Sequence, residues 1–394
     1  MIEAAERPRL RPAGGRAEPA LVALVRRLDW ILLLAAFALV GYGLWVVSGI
    51  TRFDVPGDES YFVVRQGVAA ALGVVGMVLA ILLPLDLVRR HWRLVYGVTL
   101  GLMVVVFLAA ETIRGSKRWI DLGFIQVQPS ELGKVLFVLA LAGFLVERAG
   151  RINRWRTILY ALGLAAGPIL LVFLQPDLGT ALVYGAALLA VLFFAGVRWR
   201  HLLVLVALAA VAIASVLWIL PSAGVQVLKP YQTARLTLDP DADPGGVTYN
   251  LDQSITTVGS GGLTGRGVVE ASQTRLDYLP EHATDFAFAS LAEQRGFVGC
   301  AILLLLYLLV VWRGLRVLTV AGDLYGAVVA GGLVFAFLFQ VFVNVGMTMG
   351  VAPVTGIPLP FVTVGGSSMV ANLLLIGVLQ SIHARGRLAE RPAP

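Results

Sequence analysis

A carboxylate stands where a long apolar run begins. In LPEHATDFAF, Asp285 directly precedes a stretch that continues as an apolar segment. Two roles fit an acid there. It could cap a helix at the membrane surface, where the partial positive charge of a helix N-terminus favours the ionised form. It could also act as a general base at the lipid–water boundary, taking the proton of a sugar hydroxyl. Glu281 precedes it by one turn, and Glu293, further into the run, could face the same cavity.

Other ionisable residues stand at the ends of apolar runs: Arg65, Glu111, Arg118, Glu131, Lys134 and Asp177. Such groups are costly inside a membrane and usually face a cavity or pair with one another. Glu131 and Lys134 are spaced i,i+3 and can pair on one helix face. Arg65 and Asp177 are candidates to pair across helices. Structural ion pairs that fix helix packing are one reading of this set. The other is a cationic clamp for a phosphate group, built from Arg65, Lys134 or Arg118, although Arg118 and Trp119 also suit interfacial anchoring. The glycine-rich stretch VGSGGLTGRG, residues 258–267, has no GK[ST] ending and is not a nucleotide loop. It reads as a flexible turn across the membrane surface or as a backbone nest near a pyrophosphate. In GGSSM, residues 365–369, the small residues allow close helix packing. The hydroxyls of Ser367 and Ser368 either bond across helices or line a polar groove.

The elements that must position these residues are membrane spans. Of 394 residues, 58% are hydrophobic and 14% charged, and the mean hydropathy is +0.84. A soluble domain is about a quarter charged, so that class is excluded. The net charge of +7 then belongs to basic loops at lipid headgroups, not to a nucleic-acid surface. Ten apolar segments, 30–50, 64–84, 93–112, 131–147, 156–174, 178–197, 201–220, 285–311, 324–348 and 365–384, are near the roughly 20 residues a span needs. Backbone in lipid must satisfy its own hydrogen bonds, so they are read as helices. The expected fold is an all-α polytopic membrane protein.

Arginines in the N-terminal tail, at 89–93, 148–156 and 198–200, at Arg313 and Arg316, and at the C-terminal end supply most of the 31 basic residues on one side, while most of the 24 acids fall on the other. Both termini are therefore cytoplasmic. The expected organisation is a disordered cytoplasmic tail over 1–28, a ten-helix domain over 29–387 with one large extracytoplasmic loop at 221–284, and a short tail over 388–394. The uncharged segment GVAPVTGIPLPFVTVGG re-enters the membrane edge or packs on other helices. Cys300 is the only cysteine, and His91, His201, His282 and His383 lie far apart, so no protein-only transition-metal site is implied.

At these residues the chain resembles the SEDS family (shape, elongation, division and sporulation), on its RodA branch. The resemblance is carried by KRWIDLGFIQVQPSE (117–131), QPDLGTALV (175–183), LDPDADPGG (238–246), QSITTVGSGGLTGRG (253–267), LPEHATDF (279–286) and PVTGIPLPFVTVGGSS (353–368). It implies peptidoglycan glycosyltransfer: lipid II, a disaccharide-pentapeptide on undecaprenyl pyrophosphate, is polymerised at the outer leaflet of the bacterial inner membrane during cell elongation. Asp285 matches the family's essential aspartate. Arg65, Arg118, Glu131, Lys134, Asp177, Gln253, Ser260, Glu281, Ser367 and Ser368 are the supporting candidates. A class B penicillin-binding protein and the elongation machinery are the implied partners, and a divalent cation at the pyrophosphate is the cofactor left open. A lipid II flippase and a non-catalytic scaffold for the transpeptidase are the alternative readings. The chain departs from the family pattern in three places. His282 stands one position before the usual histidine, Val364 replaces a tyrosine, and Gln294-Arg295 replaces an acid and a leucine.

Overall fold

A computed structural model describes residues 20–109, 118–121, 123, 126–225, 227–228, 233, 235 and 246–389. Among the described residues eight helices are long and apolar enough to cross a membrane, and two shorter apolar helices stand at the other two expected spans: α1 (Trp30–Ile50), α2 (Tyr61–Leu82), the shorter α3 (Trp92–Ala109), α4 (Pro129–Val146), α5 (Trp155–Leu174), the shorter α6 (Leu178–Phe194) and α7 (Trp199–Ser222), then, beyond the large loop and its helix α8 (Val247–Ser260), α9 (Ala287–Val320), α10 (Leu324–Thr348) and α11 (Gly366–Ala389). The protein is a multi-pass, all-α membrane protein. Its only paired strands among the described residues are β1 (Ile120–Asp121) and β2 (Gln126–Val127), an antiparallel clip before α4.

The centre is built from α4, α10 and α11, while α7 stands at the lipid-facing periphery. Helices in lipid associate by close packing of small residues, because lipid tails are as apolar as leucine. A Cβ at Gly377 of α11 would lie 2.5 Å from the Met77 carbonyl of α2, so the two backbones nearly touch.

Three expectations change. The N-terminal tail is not irregular to residue 28, because Ala20–Arg26 forms a short helix; ALVALVR is rich in strong helix formers. Residues 1–19 and 390–394 lie outside the described residues. The eighth span does not stop at 311 but continues to Val320. Arg313, read as a cytoplasmic loop residue, is buried in that helix, with Nη2 2.6 Å and Nε 3.0 Å from Asp29 Oδ2. The third is a refinement: the large loop, expected only as a connection, carries the helix α8, which buries Val247, Leu251, Ser254 and Thr257.

The glycine-rich stretch is neither a free turn nor a phosphate nest. It is a backbone joint against α9, which breaks at Gly296 with φ 63° and ψ −162°. Phe297 N and Val298 N donate to Gly262 O and Leu263 O, and Arg266 N donates to Glu293 O. A Cβ at Gly261 would fall 1.9 Å from Ala292 O.

The segment between α10 and α11 packs on other helices, as one of its two readings held. Val354, Ile357, Leu359, Phe361 and Val362 are buried. Gly43 of α1 and Gly179 of α6 make room for it, since a Cβ at either would strike Phe361 O or Thr355 O.

Candidate active site

Asp285 lies just before Phe286, the residue at the cap position of α9. No side chain caps that helix, so the capping role does not describe Asp285. The turn is instead fixed through its backbone. Asn344 Nδ2 of α10 donates to Asp285 O at 3.2 Å and to Ile357 O at 2.8 Å. Thr363 Oγ1 donates to Thr284 O at 3.1 Å and accepts from Leu359 N at 2.8 Å. Val364 N donates to Ala283 O at 3.0 Å. The segment between α10 and α11 and the Asp285 turn are thus laced together through backbone atoms and not through the carboxylate.

That carboxylate is partly buried and turns toward Gly356 and Arg235. Its Oδ2 lies 3.4 Å from the point a Gly356 Cβ would occupy, and Arg235 Nη1 lies 3.5 Å from the same point. Burial pushes the Asp285 pKa above the ordinary carboxylate value. The charges of Arg235 and Arg118 oppose the rise, and those of Glu281 and Asp177 add to it. A carboxylate made more basic in this way is suited to accept a proton.

Beside it opens a polar cavity of about 850 Å³. Its wall includes Glu281, His282, Ala283 and Thr284 on one side, Tyr61, Arg65 and Gln66 of α2, Trp119 and Gln126, and Gly365 and Gly366 at the start of α11. Thr284 Oγ1 donates to Glu281 Oε2 at 2.7 Å. Gln66 clamps the chain before α11, donating to Thr363 O and accepting from Gly365 N, each at 3.1 Å. His282 bridges two loops: Nε2 is 3.1 Å from Asp54 Oδ1, and Nδ1 is 3.3 Å from Asp277 Oδ1. Burial alone would lower its pKa, but the hydrogen bond and charge of Asp54, with Asp277, outweigh it and raise the value above the usual imidazole range.

The remaining candidates sort by geometry. Glu131 and Lys134 pair at 2.8 Å, buried in α4, as their spacing predicts. Asp177 caps α6 through Thr180 N at 3.1 Å and accepts from Gln128 Nε2 at 2.8 Å. The cation that reaches it is Arg118, at 3.7 Å, and not Arg65, which lies over the Tyr61 ring. Two stretches similar in sequence, QPSEL (128–132) and QPDLG (175–179), therefore meet in space through Gln128 and Asp177. Ser367 Oγ accepts from Gln128 N at 2.7 Å and donates to Gln126 O at 3.0 Å, pinning the β-clip to α11. Ser368 Oγ accepts from Asn372 within α11.

Glu293 does not face the cavity. It is fully buried, and its carboxylate accepts from Gln273 N, Thr274 N and Thr274 Oγ1. Gln253 and Ser260 sit on α8, where Ser260 Oγ closes the helix end on Thr257 O at 2.9 Å; neither borders the cavity. Glu111 lies outside the described residues.

Sequence reasoning missed Arg235, Gly356, Asn344 and Asp54. Only Gly356 left a signal: a glycine between prolines invites a left-handed backbone, and its φ is 71°. Among the described residues no group of three or more carboxylate, imidazole or thiol side chains converges to hold a metal ion.

Fold and site together define a polytopic membrane protein with a partly buried carboxylate near a guanidinium, next in sequence to Thr284 on the wall of a polar cavity. The chain belongs to the FtsW/RodA/SpoVE family of cell cycle proteins, whose model matches residues 26–388. It is 37% identical over 366 residues to the peptidoglycan glycosyltransferase MrdB of Escherichia coli K12, covering 92% of this chain and 95% of that one. It is 35% identical to the stage V sporulation protein E of Bacillus subtilis, covering 91% and 95%. A solved peptidoglycan synthase complex that coordinates polymerization and crosslinking contains a chain 33% identical, with a TM-score of 0.75 over 91% of this chain and 98% of that one. The crystal structure of the rod shape determining protein RodA of Thermus thermophilus matches at 30% identity and a TM-score of 0.67, over 93% and 98%.

Proposed function

We propose that the chain is a peptidoglycan glycosyltransferase of the bacterial inner membrane that polymerises lipid II into glycan strands on the outer face during elongation. The observation that carries the site assignment is Asp285: a carboxylate raised above its usual pKa, relieved of capping, beside a guanidinium and a large polar cavity. The relatives named for this activity support the reaction class.

The acceptor sugar hydroxyl attacks the anomeric carbon that bears the pyrophosphate. Asp285 takes the hydroxyl proton as the new C–O bond forms. The old anomeric C–O bond breaks, and its electron pair leaves on undecaprenyl pyrophosphate, where nearby cations offset the developing charge. One base and a single displacement invert the anomeric centre, so no second paired carboxylate is needed. The polar cavity accommodates the saccharide and pyrophosphate, with Arg65 and Glu281 on its wall. Glu131, Lys134, Asp177, Ser367 and Ser368 hold the helices and the β-clip that shape it.

The partner in this reading is a class B penicillin-binding transpeptidase, which crosslinks the strands. The complex formed by the structural relative supports it. An apolar furrow of about 390 Å³ between α9 and α10, lined by residues including Leu304, Leu308, Leu338, Val341 and Phe342, is the seat offered to the partner's membrane span.

The test uses purified full-length protein and labelled lipid II in detergent, with and without the transpeptidase and with and without chelator. Glycan polymer forms, and Asp285→Ala abolishes it while the protein stays folded. Transfer of lipid II between vesicle leaflets with no polymer under any condition would establish the flippase instead.

A further inference from the structure

The mechanism leaves open which cation meets the pyrophosphate, and the answer rests on the glycosyltransferase reading of Asp285. Three of the sequence-predicted cations are already engaged. Lys134 is held by Glu131 at 2.8 Å, Arg118 reaches Asp177 at 3.7 Å, and Arg65 lies over Tyr61 on the α2 wall of the cavity. Arg235 differs. The three atoms nearest to a Cβ at Gly356 would all be charged: Asp285 Oδ2 at 3.4 Å, Arg235 Nη1 at 3.5 Å and Asp285 Oδ1 at 3.7 Å. A carboxylate and a guanidinium thus border the same methyl-sized space, left where Gly356 has no side chain.

Opposite charges this near usually close into a hydrogen-bonded pair. Among the described residues these two do not, and no hydrogen bond reaches the Asp285 carboxylate oxygens. The Asp285 side of the gap is fixed against the Gly356 segment: the Asp285 turn is tied to Asn344 and Thr363 through its backbone, and the segment carrying Gly356 is tied to Asn344 through Ile357 O.

We infer that the reacting atoms enter this gap, with Arg235 as a catalytic residue that binds the donor's pyrophosphate oxygen while Asp285 takes the acceptor's proton, and with Gly356 admitting them by its lack of a Cβ. The acceptor O–H bond breaks toward Asp285, the acceptor oxygen bonds to the anomeric carbon, and the departing electron pair comes to rest on a pyrophosphate oxygen facing Arg235. Proton, carbon and leaving group are all accounted for without a further reactant. The arrangement also couples the two residues electrostatically, because the Arg235 charge holds the Asp285 pKa lower than burial alone would set it.

The experiment is steady-state polymerisation of fluorescent lipid II by the full-length protein with its transpeptidase, over a range of pH. Loss of one charge-stabilising donor costs about 10²- to 10³-fold in turnover, so Arg235→Gln lowers kcat by roughly 100-fold or more. It also moves the acid limb of the kcat/KM profile to higher pH, and Arg235→Lys returns the limb toward its original position with part of the turnover. Gly356→Asn tolerates a left-handed backbone yet fills the gap, and it lowers kcat by at least about tenfold with an unchanged melting temperature. Turnover within threefold of the parent in Arg235→Gln overturns the proposal. So does a loss with an unmoved acid limb and no rescue by lysine, which marks a merely structural arginine. Asp285→Asn runs in parallel. If it retains full turnover, the reading of the site itself fails; if it is dead while Arg235→Gln is active, only this inference fails.

Discussion

In the proposed mechanism Asp285 acts as a base because it is partly buried and, among the described residues, not held by a partner. A base must be ionised to act, and its pKa is raised by burial, so turnover falls as pH drops through a value above that of an ordinary carboxylate. The pH–rate profile of the purified enzyme should show that acid limb, and Asp285→Asn should lower turnover by about 10²- to 10⁴-fold. The stability sign is opposite to that of a salt-bridged acid: the fold favours the protonated form, so the charged form costs stability at neutral pH. Asp285→Asn should therefore melt no lower than the parent at neutral pH, and a clear drop would mean that the carboxylate supports the fold. His282 runs the other way. Its folded pKa is raised by Asp54 and Asp277, so its contribution is complete below the ordinary imidazole value and disappears as pH rises through the raised one. Melting curves from roughly pH 5 to 9 should show that loss, and His282→Asn should remove it; a variant with the same pH dependence as the parent rules the bridge out. Asp285 was legible through the family resemblance more than through its position, since Asp29, Asp177 and Asp323 also stand at the heads of apolar helices and cap them. Arg235 was not, because an arginine in a long polar loop has no spacing that ties it to a residue 50 positions away. His282 was visible only as a displaced histidine; its partner, Asp54, lies in the α1–α2 loop.

At the scale of elements, hydropathy placed an apolar helix at each of the ten expected spans, eight of them long enough to cross a membrane, because every backbone in lipid has the same remedy for its hydrogen bonds. Their ends were less legible where a charge was satisfied out of sight. Arg313 marks a cytoplasmic stop by composition, yet α9 carries it on into the bundle to meet Asp29. Asp29 is itself fixed by Leu32 N and by Gln380, which accepts from its N–H and donates to its carbonyl. Removing one member of such a buried, hydrogen-bonded pair leaves an uncompensated charge and typically costs about 3–5 kcal/mol. Arg313→Ala should destabilise the protein by that order in a denaturation assay. The double variant Asp29→Asn with Arg313→Met should recover much of it, since no buried charge remains. Equal loss in both would show that the helix contact, and not the charge, matters. The glycine-rich joint was misread for a related reason. Its glycines signal close approach, but sequence does not say to what, and the object is the broken backbone of α9 at Gly296.

At the scale of the whole molecule, the site hangs from α9. This helix begins just after Asp285, is jointed at Gly296, borders the furrow shared with α10, and ends beside Asp29 near the cytoplasmic face. One element thus runs from the carboxylate proposed to react to the furrow proposed to seat a transpeptidase, and in that reading a partner touches the same helix as the chemistry. The furrow is apolar, with Leu308 and Phe342 on its exposed rims. Association in lipid depends on shape, because burying apolar surface from lipid gains little. Leu308→Trp combined with Leu338→Trp should therefore block the furrow without exposing charge or removing core packing. Co-purification with the class B transpeptidase should fall by at least about tenfold, a change worth roughly 1.4 kcal/mol of affinity, while the variant's melting temperature holds. If the furrow instead seats the polyprenyl chain of lipid II, co-purification will persist and KM for lipid II will rise. Those two outcomes separate the occupants, and unchanged values of both would place the partner on another face.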